Sequence, residues 1–230
     1  MNIKTSKILS TKLEIIIITY NRSQFLMNTL DYLRDSAFSF CKITILDNCS
    51  TDNTIEIVMN EVKMFSNLNI ISNKINIGLG ANIMRAIGLS NSLYTWVLCD
   101  DDNFDFSDVD DVINVIIDEK ADLIHMGAHE YKEWTPSGVL MTPTELIDKG
   151  YNYFLYGSFL PCNLFKTTSV YPTIIQAYDN ISNMYPHMPL IFDFFLNEKL
   201  IYVSKTRIVK ASTSGQSYNY NKWLEAWVNT

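Results

Sequence analysis

Four short runs of aliphatic residues, each followed by a polar cluster and then by a helical pattern, set the strongest limit on the fold of this chain. The first run is almost purely β-branched, as expected for a central parallel strand that is buried on both faces. The four predicted strands are Leu13–Ile18, Lys42–Leu46, Leu68–Ile71 and Thr95–Leu98. This alternation of strands and helices with short connections predicts an α/β sandwich with a mainly parallel central sheet.

The predicted helices of the first half fill the gaps between these strands. The first helix is expected after Ser23, where helical spacing begins. Ser50 or Thr51 is expected to cap the second helix, and the third helix is expected at Ala81–Leu89. Right-handed crossovers bring the carboxyl ends of parallel strands to one edge of the sheet, where ligands of open α/β sheets bind. We therefore expect the polar clusters that follow the strands to lie close together.

The second half of the chain has a less regular pattern. It predicts helices at Phe106–Glu119, Thr144–Phe154 and Pro186–Leu196, strands at Ala121–Met126, Ser158–Phe165 and Leu200–Val203, and an exposed excursion at Glu130–Pro143. Neither an internal repeat nor a low-complexity linker divides the chain. We therefore expect one domain over residues 1–230, with an elaborated C-terminal half.

Charge and cysteine content exclude several classes of function. A formal net charge of −7 argues against broad nucleic-acid binding, which needs a basic surface, although a bound cation could still bring in a nucleotide. The four cysteines form no CxxC pair, which argues against a zinc site and favours a reducing compartment. Residues 1–12 lack the apolar core of a signal peptide, and no run reaches the roughly 18 apolar residues of a membrane span. The prediction is a cytoplasmic protein, with peripheral docking at the inner face of the membrane left open.

Three consecutive carboxylates, Asp100, Asp101 and Asp102, follow the fourth predicted strand directly. Such carboxylates repel one another, and a hard divalent cation such as Mg2+ or Mn2+ offsets that repulsion. If the backbone is extended, Asp100 and Asp102 point to the same side and form the working pair, with Asp101 turned away. The alternative is a solvated acidic turn or the cap of the next helix.

The other strand ends carry groups that suit a nucleotide. Asp47 closes the second strand, where its carboxylate can accept a hydrogen bond from a uracil imide or, alternatively, cap the next helix. The segment Thr19–Arg22 offers an aromatic ring, an amide and a cation after the first strand, where a plain turn is the alternative. After the third strand comes a glycine-containing turn that is well placed to lie against a nucleoside, and its candidate binding residues are Asn76, Gly78 and Asn82. This turn matches neither a dinucleotide fingerprint nor an ATP-type phosphate loop.

Taken together, these blocks resemble family 2 glycosyltransferases. The resemblance covers about residues 13–104 and rests on four segments in the family's order, which are Ile16–Arg22, Leu46–Thr54, Asn73–Asn82 and Leu98–Asp102. It implies the GT-A fold, a Rossmann-like α/β/α sandwich with an irregular C-terminal acceptor-binding half over about residues 105–230. It also implies a UDP-sugar or other nucleotide-sugar donor, a divalent metal and inversion at the anomeric carbon.

The resemblance also implies roles for individual residues. Thr19, Tyr20 and Arg22 would form the nucleoside pocket, and Asp47 would bind the uracil imide. Asp100 would lie near the ribose and donor sugar, and Asp102 would be the metal ligand that reaches the diphosphate. Asp101 occupies the middle of the acidic motif, where the family usually has a small or neutral residue.

The family commonly supplies its catalytic base from a Glu-Asp pair at the start of a late helix, and this chain has no such pair there. His187, near the start of the predicted late helix, is the candidate base or an additional metal ligand, and Asp193 is the alternative. His187 can equally be an ordinary residue at a helix start.

The leading interpretation is an inverting transfer of sugar from a UDP-sugar to a glycan or lipid-linked acceptor, in synthesis of a bacterial surface polysaccharide. Two alternatives stay open. One is a nucleotidyltransferase, which would be expected to carry a glycine-rich, basic phosphate loop after the first strand, where Thr19–Ser23 contains no glycine. The other is a non-catalytic nucleotide-sugar-binding domain, which the missing Glu-Asp pair keeps open.

Overall fold

The structure is a computed structural model that describes residues 3–61, 63, 65, 67–129, 138–151 and 153–210. Its strands are β1 (Leu13–Thr19), β2 (Lys42–Asp47), β3 (Leu68–Ser72), β4 (Tyr94–Cys99), β5 (Asn103–Phe104), β6 (Leu123–Ala128), β7 (Val139–Met141), β8 (Asn163–Lys166) and β9 (Ile201–Lys210). Its α-helices are α1 (Ile3–Lys12), α2 (Ser23–Arg34), α3 (Thr54–Glu61), α4 (Leu79–Leu89), α5 (Asp110–Asp118), α6 (Pro143–Asp148), α7 (Tyr153–Gly157), α8 (Thr167–Val170), α9 (Ile174–Tyr178) and α10 (Met188–Leu196).

These strands form one mixed sheet in the order β3-β2-β1-β4-β8-β6-β9-β5, with β7 paired to β9. The first four strands in that order are all parallel. β8 is antiparallel to both β4 and β6, so β6 runs in the same direction as β4, and β9 is parallel to β6. The predicted α/β class is therefore confirmed with its parallel core, while β5, β7 and β8 run against that direction.

Strand β1 shows how the sequence produces a sandwich. All seven of its residues are buried. Ile15 and Ile17 pack into one apolar cluster with side chains from α2 and α5, whereas Ile16 and Ile18 pack into a second cluster with side chains from α4 and α10. Because successive side chains of a strand point to opposite faces, a continuous aliphatic run requires helices on both sides of the sheet.

The start of α3 differs from the prediction because an aspartate, not a hydroxyl residue, satisfies its first amides. Asp52 Oδ1 accepts from the Thr54 backbone N at 3.0 Å. Thr51 instead donates its backbone N–H to Asn21 Oδ1 at 2.7 Å, and Ser50 Oγ accepts from the Asn21 N–H at 2.9 Å. The cap assigned to Ser50 or Thr51 is therefore wrong, since both residues bind the loop after β1.

The second half departs further from its predicted pattern. The helix expected from residue 106 begins only at Asp110, because Asp105 N continues the pairing with β9 by donating to Ile208 O at 2.8 Å. The helix expected over 144–154 is two helices, α6 and α7, and Gly150 between them has a φ of 75°. A 3-10 helix at Leu160–Cys162 precedes β8, and β9 extends seven residues beyond its predicted end at Val203. Helices α1, α8 and α9 were not predicted, and most of the expected excursion lies outside the described residues.

Within the described part of the chain, we found no helix that combines the length and apolar character required to cross a membrane.

Candidate functional site

The carboxyl ends of β1, β2, β3 and β4 lie side by side at one edge of the sheet. Thr19 is in register with Asp47, which is in turn in register with Ser72. The ladder continues past the strand ends, because Asn48 N donates to Thr19 O at 2.9 Å and Asn73 N donates to Asp47 O at 2.8 Å. The polar clusters of the first half are thus brought to one edge, as the crossover argument predicted.

Asp100 is the buried carboxylate of this edge. Only 4% of the residue is exposed, and Thr19 Oγ1 donates to its Oδ2 at 2.6 Å. Arg22 lies 3.5 Å from Oδ1, and Thr29 Oγ1 donates to the Asp100 carbonyl at 3.1 Å. Burial raises the pKa of Asp100 to about 7, against the opposing effects of Thr19 and Arg22. Asp100 is thus held inside the protein by its hydrogen bonds, facing away from solvent.

Asp101 and Asp102, together with Cys99, form a second group of ligand atoms. One ligand atom from each of the three residues lies within 4.8 Å of the other two. The expected pairing of Asp100 with Asp102 assumed an extended backbone, whereas β4 ends at Cys99 and the chain turns at the next residues. The turn brings the side chain of Asp101 towards that of Asp102.

The chemistry of this group suits a hard divalent cation. Burial raises the pKa of the Cys99 thiol well above its usual range, and the neighbouring carboxylates raise it further. Hard cations also prefer oxygen to sulfur ligands, so the donors that suit Mg2+ or Mn2+ are the oxygens of Asp101 and Asp102. Mg2+ and Mn2+ are commonly held by one or two carboxylates, with the remaining positions left for water and phosphate oxygens.

Arg22 balances part of the negative charge of this edge. Its guanidinium pairs with both Asp100 and Asp101, and it also lies 6.0 Å from the centre of the Phe25 ring. Arg22 directly precedes α2, where its carbonyl accepts from Leu26 N at 3.0 Å. Arg22, which the sequence assigned to the nucleoside pocket, therefore contacts Asp100 and Asp101 in the structure.

The predicted nucleoside residues of β1 and β2 lie beside this acidic group. Asp47 is buried, and its two carboxylate oxygens accept from Ser50 N at 3.0 and 3.2 Å. Tyr20 exposes 41% of its surface at the end of β1, so its ring is available for a ligand. Cys49, between Asp47 and Ser50, has a φ of 69°, which shows that the turn after β2 is tight.

The three predicted residues of the glycine-containing turn have different positions. Asn76 is exposed, and its Oδ1 accepts from Gly78 N at 2.8 Å. Gly78 has a φ of 83°, a conformation that favours glycine, and it immediately precedes α4. Asn82 is buried, and its Oδ1 accepts from Asn73 Nδ2 at 2.9 Å. Asn76 and Gly78 thus shape the loop itself, whereas Asn82 supports it from the protein interior.

The two candidate bases lie at α10, where His187 is buried and Asp193 forms an ion pair with a lysine. Only 1% of His187 is exposed, and its Nε2 lies 3.3 Å from the carbonyl oxygen of Gly157. Because a carbonyl can only accept, this contact places the proton on Nε2 and leaves a lone pair on Nδ1, which is buried and has no hydrogen-bond partner among the described residues. Asp193 is paired with Lys199 at 2.5 Å and accepts from Asn197 Nδ2 at 2.8 Å. The contacts described for these two residues do not include the Asp100–Asp102 group.

Thr29 and Asn48 are residues of this edge that the sequence patterns missed. Thr29 lies on the buried side of α2 together with Leu26, Leu30 and Leu33, and a polar residue on an otherwise apolar helix face was the available signal. Asn48 had no comparable signal, because an asparagine after a strand is typical of any turn.

Two buried histidines give a testable dependence of stability on pH. Burial lowers the pKa of both His125 and His187 to about 4. The unfolded chain takes up these protons near pH 6.5 and the folded chain does not, so stability is lost as pH falls from about 6.5 to about 4. Between pH 7 and pH 5, wild type should lose about 2 kcal/mol more stability than His187→Gln in urea denaturation.

The comparison with the variant is needed because Asp100 acts in the opposite direction. Its raised pKa means that the folded chain binds a proton more readily, which increases stability as pH falls below 7. This contribution is common to wild type and variant and cancels in their difference. His129→Gln serves as the matched control, since His129 is exposed and its variant should follow the wild-type curve. Parallel curves for wild type and His187→Gln would contradict the assignment.

Comparison with known proteins gave matches to a family and to solved structures. The family model described as Glycosyl transferase family 2 matches residues 14–189. The S. aureus TarS 1-349 structure has a TM-score of 0.67 at 18% identity, and its alignment covers 87% of this chain and 60% of that one. The corresponding complex with UDP-GlcNAc has a TM-score of 0.68 at 18% identity, with 90% and 61% covered.

A mannosyltransferase from Pyrobaculum calidifontis, PcManGT, was solved in complex with GDP-Man and Mn2+. It has a TM-score of 0.64 at 10% identity, and its alignment covers 94% of this chain and 62% of that one. No curated protein matched the chain. This chain spans about 60% of the length of these solved proteins, and identities this low establish a shared fold only.

Proposed function

We infer the activity of this chain from its family, because it belongs to glycosyl transferase family 2. We propose that it transfers a sugar from a UDP-sugar to a hydroxyl of a glycan or lipid-linked acceptor. The observation that carries the proposal is the arrangement at the carboxyl edge, where Asp101 and Asp102 converge beside the buried Asp100. A setting in the cytoplasm, in synthesis of a bacterial surface polysaccharide, is part of the same proposal.

Asp101 and Asp102 are the residues that would hold the divalent cation, Mn2+ or Mg2+. Their oxygens converge, and the hydrogen bonds from Thr19 and Arg22 hold the third carboxylate, that of Asp100, in the interior. When bound, the cation neutralises negative charge on the departing diphosphate. Asp100 then lies at the inner side of the donor site, where we assign it to the ribose and the donor sugar.

The nucleoside would lie against the ends of β1 and β2. Asp47 offers a buried carboxylate that accepts a single backbone N–H from the described residues, so we assign its remaining acceptor capacity to a uracil imide. The exposed ring of Tyr20 offers a stacking surface, and Asn76 and Gly78 would form the opposite side of the pocket. TarS was solved with UDP and with UDP-GlcNAc, and PcManGT with GDP-Man, which supports a nucleotide-sugar donor here.

The reaction is a single displacement at the anomeric carbon. The acceptor oxygen forms a bond to that carbon, the bond to the diphosphate oxygen breaks, and UDP leaves with the electron pair. The hydroxyl proton passes to a base. We assign that role to His187, because it lies at the start of α10 and its Nδ1 has no hydrogen-bond partner among the described residues. Replacing His187 by alanine should abolish transfer and preserve UDP binding.

Binding of UDP with metal provides the first test. We expect UDP with Mn2+ to raise the melting temperature by about 5–10 °C when UDP exceeds its Kd about 100-fold. UDP with a chelator should have no such effect, and GDP serves as the control for the nucleobase. If no nucleoside diphosphate with metal shifts the melting temperature, the proposal fails.

Slow hydrolysis across a panel of nucleotide sugars distinguishes the alternatives, because it needs no acceptor. Release of UDP from one sugar donor supports the transferase. Tight binding of UDP-sugars without hydrolysis or transfer would favour the non-catalytic binding domain. Formation of pyrophosphate from a nucleoside triphosphate and a sugar phosphate would favour the nucleotidyltransferase.

A further inference from the structure

Asn48 is a buried amide whose hydrogen-bonding capacity is fully used. It follows Asp47 and is 4% exposed. Its Oδ1 accepts from Asn73 Nδ2 at 2.8 Å and from Ile77 N at 3.0 Å. Its Nδ2 donates to Asn76 Oδ1 at 2.9 Å and to Gly78 O at 3.3 Å. The four bonds match the two acceptor sites and two donor protons of an amide.

The neighbouring backbone fixes the orientation of this amide. Ile77 offers an N–H and Gly78 offers a carbonyl, so exchanging the oxygen and nitrogen of Asn48 would set donor against donor and acceptor against acceptor. An aspartate at this position would keep the two contacts that Oδ1 accepts. Its second carboxylate oxygen, however, would place a negative charge against two acceptors, Asn76 Oδ1 and Gly78 O. Among common side chains of this size, only asparagine satisfies all four partners.

The backbone of Asn48 joins this amide to β1. Its N–H donates to Thr19 O at 2.9 Å, and Asp47 immediately precedes it. One residue therefore connects the end of β1, the end of β2 and the Asn73–Gly78 loop. In the proposed function these three segments form the nucleoside pocket, with Asp47 on one side and the loop on the other.

We propose that Asn48 is a positioning residue that sets the separation between Asp47 and the Asn73–Gly78 loop, and so determines the affinity for the nucleoside part of the donor. This proposal rests on the proposed function. Asn48 itself is buried beneath the loop and acts through it. A loop held in place before binding has less conformational entropy to lose when the nucleoside arrives.

The test compares Asn48→Asp with wild type. Asparagine and aspartate have nearly the same shape, so this change keeps the size of the side chain, removes the two donated bonds and places a negative charge against two acceptor oxygens. We expect the KM for the UDP-sugar and the Kd for UDP to rise about 10-fold, with kcat within about threefold of wild type. Affinity for Mn2+ alone, followed by electron paramagnetic resonance, should stay unchanged. Asn69→Asp is the matched control, because Asn69 is exposed on β3 and gains the same charge.

Amide hydrogen exchange of the free protein tests the structural step without any nucleotide. In wild type the amides of Ile77 and Gly78 should be protected, because they donate to Asn48 Oδ1 and Asn76 Oδ1. Asn48→Asp should speed exchange at Gly78, and saturating UDP should restore protection. If Asn48→Asp does not fold, Asn76→Ala provides the second variant, since Asn76 is exposed and its loss removes the bonds to Asn48 Nδ2 and Gly78 N.

The outcomes separate the two proposals. Faster exchange at Gly78 with UDP affinity within twofold of wild type would overturn the positioning role. Unchanged exchange in both variants would overturn it as well, because the loop would then be held by other contacts. If wild type does not bind UDP, the proposed function fails, and the role of Asn48 in nucleoside affinity fails with it. That conclusion holds even if amide hydrogen exchange shows that Asn48 holds the loop.

Discussion

Replacing Asp102 by asparagine is expected to lower turnover about 10³-fold and to remove the dependence of UDP binding on Mn2+. The change keeps the size of the side chain and removes its charge. Asp101 and Asp102 are the only two side-chain oxygen donors in the described group that includes Cys99, and a hard cation prefers oxygen to the sulfur of Cys99. One remaining carboxylate should hold a hard cation too weakly to retain it beside the diphosphate.

Asp108→Asn is the matched control for this variant. Asp108 is exposed six residues further along the chain, and its replacement changes the net charge by the same amount. The control should keep wild-type turnover and wild-type Mn2+ affinity. The melting temperature of Asp102→Asn without ligands should lie close to that of wild type or above it, because relief of repulsion among neighbouring carboxylates is stabilising. Wild-type turnover in Asp102→Asn would remove Asp102 from the metal site.

Asp100→Asn should behave differently, which makes it a useful comparison. Asp100 is buried and accepts from Thr19 Oγ1 at 2.6 Å. Its asparagine variant should keep Mn2+ affinity within about threefold of wild type, while the donor is bound or oriented less well. A loss of Mn2+ affinity equal to that of Asp102→Asn would restore the pairing of Asp100 with Asp102 that the sequence predicted.

The part of the fold that sequence predicts well is the part where one residue pattern has one physical solution. The run at Ile15–Ile18 must be covered on both faces, so it could only be a central strand of a sandwich. Crossover handedness then put Thr19, Asp47 and Asp100 at one edge. These arguments need only the strand period and the direction of the chain, and both are local properties.

The rule that every second side chain points to the same side did not hold at Asp100–Asp102, because it applies only to an extended backbone. Whether the chain continues straight or turns after Cys99 depends on tertiary contacts, including the bond from Thr29 on α2 to the Asp100 carbonyl. No local pattern reports such a contact. The rule therefore paired Asp100 with Asp102, whereas the turn brings Asp101 to Asp102.

The predicted elements of the second half of the chain differed from the structure for a related reason. β8 is inserted antiparallel between β4 and β6, and its position depends on pairing between segments about 40 and 70 residues apart. Helix α1 was missed because most of its residues are polar, although Leu9 is fully buried against the first apolar cluster. Asn48 was missed because its importance lies in four partners that the fold assembles, all of them more than 20 residues away in the sequence.

Arg22→Gln should shift metal affinity in the direction opposite to Asp102→Asn. The guanidinium of Arg22 pairs with Asp101, one of the two proposed metal ligands, and lies 3.5 Å from Asp100 Oδ1. A cation that binds Asp101 must compete with this positive charge. Without nucleotide, Arg22→Gln should therefore bind Mn2+ about 3–10-fold more tightly, as measured by the electron paramagnetic resonance signal of free Mn2+.

The affinity for UDP should fall in the Arg22→Gln variant, although its affinity for Mn2+ rises. Once the metal occupies Asp101 and Asp102, the released guanidinium is free to bind the nucleotide, and its loss should weaken UDP binding about 10-fold or more. Arg34→Gln is the matched control, because Arg34 lies at the end of the same helix and pairs with Asp31 at 2.5 Å. That control should leave both affinities unchanged. Weaker Mn2+ binding in Arg22→Gln would show that Arg22 supports the metal site and does not compete with the metal.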